Sequence, residues 1–421
     1  MKFNIRTKLG LVYNKYLEWP LRDLRHQRFV HQLKSKNKIN VVFYAMNVPM
    51  WNYQHLYDLM KENAKFVLYV VLSPNHRSSI DARNEEAAAM RKYFEERKVS
   101  YIDCDSNGEV CIDVKNDIQP DMIFYSQPYP SVMKSGDYCT NFKNRLVCYY
   151  PYAFWSANGE WSYNKDLHRL AWKLFYSTEL HLKDAQRLCY NRGKNVVVTG
   201  YPKTDDFLKK EIHDVWKIKD SQHKRLIWAP HFTIQASLPG TVARSNFLMM
   251  AEMMVELARQ NTDCLQIAFK PHPRLKTELY NLDSWGKERT DLYYSLWDSM
   301  TNTFLAEGEY IDLFMTSDGM VHDSSSFSIE YHYSQKPVMY VTKDLDEYKK
   351  MLNDFGKMAI DIHYIGHTKE DILNFVKNQV INGIDPLKNE RMIFYNNYLL
   401  PPHKESVAQY TYNNIVESLG I

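Results

Sequence analysis

The stretch Cys264-Leu265-Gln266-Ile267-Ala268-Phe269-Lys270-Pro271-His272-Pro273-Arg274 decides the reading of this chain. Its first six residues have the length and apolar content of a buried strand. The strand runs straight into a loop whose two prolines fix the backbone and whose two cations flank a histidine. A rigid, positive loop lowers the entropic cost of holding Lys270 and His272 against an anion. The plainer alternative is a tight turn in which His272 bonds a backbone carbonyl.

Working outward, the same alternation recurs on both sides. Strands are expected at Arg225 to Ala229, Gly319 to His322 and Pro337 to Thr342, with helices at Asn246 to Arg259, Tyr310 to Met315 and Phe327 to Tyr333. Earlier in the chain, Val41 to Ala45, Phe66 to Leu72, Ser100 to Ile102, Asp121 to Tyr125 and Arg145 to Tyr149 read as strands, and Asn52 to Lys61 and Ala82 to Arg97 as helices. A polar helical stretch runs from Asp166 to Arg192, followed by the strand Asn195 to Val198. Such alternation implies parallel sheets covered on both faces. At 421 residues the chain fits two such domains. The expected division is a basic arm at 1–38, a first α/β domain at 39–192, a second at 193–385, and a helical segment at 386–421 that crosses back to the first domain.

Ligands of open parallel sheets bind beyond the carboxyl ends of the strands, so the other loops there carry the argument. Gly319 to His322 delivers Asp323-Ser324-Ser325-Ser326 to the start of a helix. Ser or Asp there is expected to cap the first turn, and three serines suit a pyrophosphate bound on the helix amides. Glu330, one turn on, is placed to accept from ribose hydroxyls. The strand ending at Ala229 leads into Pro230-His231-Phe232-Thr233, which sets a second imidazole at the same rim as His272. Of such a pair, one could move a proton while the other offsets charge on a transferred group. Asp103-Cys104-Asp105 and Asp344-Leu345-Asp346 match a short metal-binding pattern that is common by chance, and no metal or cofactor is expected. Walker, Gly-x-Ser-x-Gly and His-Glu-x-x-His motifs are absent.

Residues 1–38 carry ten Lys or Arg against Glu18 and Asp23. With Phe3, Ile5, Leu9, Leu11, Val12, Tyr16, Leu17 and Trp19 interleaved, this arm suits an anionic membrane surface or a solvated helix packed on the first domain. No nucleic-acid motif follows it. Six scattered cysteines without a Cys-x-x-Cys pair suit a reducing compartment, and no run of 18 apolar residues spans a membrane. The expected location is cytoplasmic, peripheral on the inner face of the cell membrane.

The order Gly200-Tyr201-Pro202-Lys203-Thr204-Asp205, Trp228-Ala229-Pro230-His231, Lys270-Pro271-His272-Pro273, His322-Asp323-Ser324-Ser325-Ser326 with Glu330, Lys336-Pro337 and Asp346-Glu347-Tyr348 resembles the CDP-glycerol glycerophosphotransferase family. The resemblance implies a GT-B fold, two doubly wound parallel-sheet domains facing a central cleft. It also implies transfer of glycerol phosphate from CDP-glycerol to an acceptor hydroxyl, with CMP released, in teichoic-acid-like or capsule synthesis. His272 matches the family's His-Pro histidine, and Ser325 and Ser326 match its donor-phosphate serines. Two motifs depart. The family's Trp-His-Gly is replaced by Tyr150-Pro151-Tyr152-Ala153-Phe154, and its Pro-Thr-x-Arg by Pro230-His231-Phe232-Thr233.

The expectation is therefore a CDP-activated polyol donor held by Lys270, Arg274, Asp323, Ser324, Ser325, Ser326 and Glu330. His272 and His231 are the catalytic candidates. A lipid-linked or polymer acceptor would lie near Tyr152, Trp155 and Trp161. The alternatives are a GT-B nucleotide-sugar glycosyltransferase and an inactive GT-B scaffold.

Overall fold

Runs such as Val41-Val42-Phe43-Tyr44 fold as strands because branched and aromatic side chains suit a pleated surface buried on both faces. The computed structural model describes residues 17–103, 112–159, 163–235 and 243–421, and the chain divides into two units.

The first unit comprises 1–155, 159–205 and 400–421. Its strands are β1 (Ile39–Ala45), β2 (Phe66–Leu72), β3 (Tyr101–Asp103), β4 (Met122–Tyr125), β5 (Leu146–Tyr149), β6 (Lys173–Tyr176) and β7 (Val196–Val198). They pair in parallel in the order β3-β2-β1-β4-β5-β6-β7, with Val42 opposite Tyr69 on one side and Ile123 on the other. Alternate residues feed two cores. Phe43 stacks on Phe124 beneath one face, and Tyr44 stacks on Tyr125 beneath the other.

The Gly200 to Asp205 motif is a joint in this unit. Gly200 has φ +99°, and a Cβ there would lie 2.7 Å from Val407 Cγ2, so only glycine fits. Asp205 accepts the backbone N–H groups of Val407 and Ala408, each at 2.8 Å. This satisfies two amides that the first turn of helix Val407–Leu419 leaves unpaired.

The second unit comprises 156–158 and 206–399. Its strands β8 (Lys224–Ala229), β9 (Leu265–Phe269), β10 (Thr303–Leu305), β11 (Gly319–His322), β12 (Val338–Val341) and β13 (Tyr364–Gly366) pair in parallel in the order β10-β9-β8-β11-β12-β13. Trp228, Phe269 and Trp297 stack in its core, with ring centroids 4.9 and 5.1 Å apart along the series. The strand order reverses between β8 and β11. Loops after these two strands diverge to opposite sides and leave a crevice suited to a ligand. Both units have the parallel-sheet α/β architecture expected from the sequence.

Three expectations change. The stretch Asp166 to Arg192 is not one helix: helices Asp166–Leu170 and Glu179–Leu188 flank β6. Leu174 and Phe175, both fully buried, pair between β5 and β7, and this long-range pairing overrides the local helical pattern. The units divide at 205/206 rather than 192/193, because β7 pairs with β6 and Asp205 caps the last helix of the first unit. Residues 386–399 stay with the second unit, where Phe394 stacks on Phe355 and the Leu399 carbonyl accepts from Tyr333.

Of the basic arm, Phe3, Ile5, Leu9, Leu11, Val12 and Tyr16 lie outside the described residues. The helix Trp19–Ser35 is described, with Trp19, Arg22, His26 and Leu33 buried. Among the described residues no helix is long and apolar enough to cross a membrane.

Candidate functional site

Three loops meet at the carboxyl ends of β8, β9 and β11. Backbone bonds set the spacing of the first two: Lys270 N donates to the Trp228 carbonyl at 2.8 Å, and His272 N to the Pro230 carbonyl at 3.0 Å. Proline at 230, 271 and 273 removes competing donors and fixes φ. The imidazoles of His231 and His272 consequently sit with ring centroids 5.1 Å apart. Phe232 lies 4.4 Å from each, and the Arg274 guanidinium covers Phe232 at 4.2 Å.

The β11 loop is tied to them by one carboxylate. Asp323 accepts from His231 N at 2.5 Å, from Asn246 N at 2.6 Å and from Asn246 Nδ2 at 3.4 Å. Asn246 Nδ2 also donates to the Val341 carbonyl at the end of β12. Asp323 is 2% exposed. Burial pushes its carboxyl up to about 7, against the pull of the hydrogen bonds it accepts. It therefore faces inward as the anchor of the site instead of presenting itself to a ligand.

Both histidines are held neutral. Burial, then the charges of Arg244 and Arg274, push His231 down to about 4. Burial, then His231, Arg274 and Lys270, push His272 down to about 3. His272 Nδ1 accepts from Arg274 N at 3.1 Å, so the neutral ring carries its proton on Nε2 and offers a donor there. His231 Nδ1 pairs with Thr233 Oγ1 at 2.9 Å.

Other expected site residues fall in different places. Lys270 is buried, and its ammonium donates to the carbonyls of Ala306 and Gly308 at 3.1 and 3.0 Å, bracing the loop after β10. Arg274 pairs with Glu278 at 2.7 Å. Glu330 is buried and accepts from the Tyr310 hydroxyl at 2.6 Å. Ser326 occupies the N-cap of the short helix Phe327–Glu330, but its side chain makes no capping bond among the described residues. Ser324 is buried with its N–H on His322 Nδ1, and its carbonyl accepts from the Ser328 hydroxyl. Ser325 and Ser326 remain nearer solvent.

In the first unit, Tyr152 sits in a turn whose N–H meets the Ser126 carbonyl and whose carbonyl meets the Tyr201 hydroxyl. The Trp155 carbonyl pairs with His181 Nε2, and Trp161 lies outside the described residues. Of the acidic triplets, Asp344 caps helix Leu345–Lys350 and Asp103 pairs with Arg91, while Cys104 and Asp105 lie outside the described residues. Among the described residues no group of three or more His, Cys, Asp or Glu is placed to hold a metal ion.

Arg244 was not legible as a site residue. Its backbone N–H donates to the Thr233 carbonyl at 3.0 Å and to Thr233 Oγ1 at 3.3 Å, so it stands beside the motif that lacks the family's arginine. Its guanidinium contacts Met351 Sδ at 3.4 Å and lies 5.8 Å from the Tyr348 ring. Among the described residues no carboxylate pairs with it. Eleven positions separate Thr233 from Arg244, so no local pattern linked them.

The family model described as CDP-Glycerol:Poly(glycerophosphate) glycerophosphotransferase matches residues 156–385, more than half of the chain. The chain belongs to this family. Its relatives include the teichoic acid ribitol-phosphate polymerase TarL of Staphylococcus aureus, 26% identical over 189 residues, covering 43% of this chain and 31% of TarL. The minor teichoic acid biosynthesis protein GgaB of Bacillus subtilis is 24% identical over 238 residues, covering 52% of this chain and 24% of GgaB. This glycerophosphotransferase-family chain thus spans about a third or less of the length of these curated relatives. Among solved structures, the wall teichoic acid polymerase TagF superposes with TM-score 0.58 at 14% identity, covering 99% of this chain and 98% of that one. MnaA of S. aureus with UDP gives TM-score 0.58 at 12% identity, covering 91% of this chain and 97% of that one. At these identities the likeness is one of fold, and the fold is GT-B.

Removing the anchor tests the geometry. Asp323→Ala leaves the N–H groups of His231 and Asn246 without an acceptor and is expected to destabilise the protein by about 3 kcal/mol in urea unfolding. The native carboxyl titrates above its unfolded value. Its contribution is therefore complete below about pH 4 and is lost as pH rises to about 7; the variant lacks that slope. A change below about 0.5 kcal/mol would show that Asp323 anchors nothing.

Proposed function

We propose that this protein transfers a polyol phosphate, glycerol phosphate foremost, from a CDP-linked donor to an acceptor hydroxyl in the synthesis of a teichoic-acid-like or capsular cell-surface polymer. The observation that carries this reading is the pair of neutral imidazoles, His231 and His272, at the strand-order reversal of a glycerophosphotransferase-family sheet.

In the proposed reaction the acceptor oxygen attacks the distal phosphorus in line. A new O–P bond forms, the P–O bond to CMP breaks, and the hydroxyl proton passes to a base. His272 donates from Nε2 to an oxygen of the transferred phosphoryl group, and His231 takes the proton. Arg244, with no carboxylate partner among the described residues, and Arg274 offset charge on the donor phosphates. Ser325 and Ser326 supply hydroxyl and backbone donors. Positioning and charge stabilisation are what such transfers chiefly require.

The acceptor is a lipid-linked or polymer chain, which favours attachment to the inner face of the cell membrane. Helix Trp19–Ser35 and the residues before it supply a means. Leu17, Leu21 and Leu24 are 54%, 49% and 50% exposed at helical spacing, beside exposed Arg25 and Arg28.

Thermal shift, turnover and vesicle cosedimentation check these proposals. CDP-glycerol is expected to raise the melting temperature and to yield CMP in the presence of acceptor. His272→Ala should lower turnover at least about 100-fold, and Arg244→Gln should raise the donor KM about tenfold with a smaller effect on kcat. Release of a nucleoside diphosphate from a nucleotide sugar would instead make the protein a glycosyltransferase, and nucleotide binding without any turnover would make it a scaffold. Cosedimentation with phosphatidylglycerol vesicles should be lost on combining Leu21→Glu with Leu24→Glu. Equal sedimentation with uncharged phosphatidylcholine vesicles would contradict the membrane proposal.

A further inference from the structure

The first unit contains a cavity where the carboxyl ends of β5 and β6 meet helices Asp166–Leu170 and Glu179–Leu188. Tyr149, Trp155, Tyr163 and Tyr176 form aromatic walls on it. The space is small, about 20 Å³, room for one water-sized group. Among the described residues no Lys, Arg, Asp or Glu lines it. Two histidines do, and they differ. His181 is satisfied, with Nδ1 on Thr178 Oγ1 and Nε2 on the Trp155 carbonyl, both at 2.7 Å. His168 is 4% exposed, yet among the described residues its Nδ1 has no hydrogen-bond partner. Its ring stands edge-on to Tyr149 with centroids 5.6 Å apart. Ser177, 6% exposed, adds a hydroxyl to the same wall.

A buried imidazole nitrogen without a partner among the described residues calls for an explanation. The cavity beside it is too small for a sugar ring, and none of its described lining residues is a cation that would hold a phosphate. Aromatic walls suit C–H groups, and an imidazole and a hydroxyl suit an oxygen that both donates and accepts. We infer that this cavity is a subsite for the uncharged hydroxymethyl end of a polyol chain, held by His168 and Ser177 between aromatic rings. The inference rests on the proposed reading of the acceptor as a polyol polymer, and gives that reading a binding determinant in the first unit. Burial, then Lys165, holds His168 down to about 3, which keeps the ring neutral and suited to an uncharged group.

The test is histidine-selective 15N NMR of the full chain, with the His168 ring signals assigned by their loss in His168→Phe. Titration with glycerol or ribitol is expected to shift these signals saturably. Ser177→Ala should weaken glycerol binding about fivefold, and Ala153→Leu, which fills the cavity, should abolish the shift. Glycerol that leaves the His168 signals unmoved overturns the inference and leaves an ordered water as the occupant. A shift that survives in Ala153→Leu overturns it equally. CDP-glycerol thermal shifts on the same samples report folding and the donor site separately. Failure there in the wild type sinks the donor reading and does not bear on the His168 titration.

Discussion

The Asp323 carboxylate is the interaction on which the candidate site depends. It reaches from the end of β11 to the backbone of the β8 loop and to the start of helix Phe247–Gln260. Through Asn246 the same knot extends to β12. A buried carboxylate without such donors would be strongly unfavourable. The donors therefore fix Asp323, and Asp323 fixes the loops. Because His272 hangs from the Pro230 carbonyl, the spacing of the two imidazoles follows from the same tie.

Charge around this knot has a consistent logic. Lys270 is absorbed by two carbonyls, while Arg274 pairs with Glu278 and lies over Phe232 beside the histidines. What faces the histidines is half-buried positive charge without a matching carboxylate at Arg244. Burial, with Arg244 and Arg274 beside His231 and with His231, Arg274 and Lys270 beside His272, keeps both rings unprotonated. An anionic ligand would reverse this effect, since a phosphate beside an imidazole stabilises the charged form. Such a field favours negative charge, and this supports the proposal of a phosphate-ester donor.

Much of this was legible in the sequence. Strands such as Gly319–His322 could be bounded because they are short apolar runs ending at polar, chemically loaded loops. The pairing of the His231 and His272 loops followed from both lying after neighbouring parallel strands. What escaped had no local signal. Lys173-Leu174-Phe175-Tyr176 is helix-compatible by pattern and is a strand because β5 and β7 flank it. Lys270 and Asp323 looked like ligand groups by type, and only the positions of Ala306, Gly308 and Asn246 turn them into braces. Arg244 joins the site across a stretch of chain with no motif. His168, within what read as an unbroken helix, lines a cavity that no spacing announced.

The account stands or falls on the electrostatics of the histidine pair, and histidine-selective NMR titration with and without CMP measures it directly. In the free protein both rings are expected to stay neutral down to about pH 5, with His231 titrating near 4 and His272 near 3. Bound CMP is expected to raise both values, with no effect on His223 at the remote Asp220 pair. Titration of both rings near the ordinary value of about 6.5, or values that CMP leaves unchanged, would contradict the anion site at its foundation.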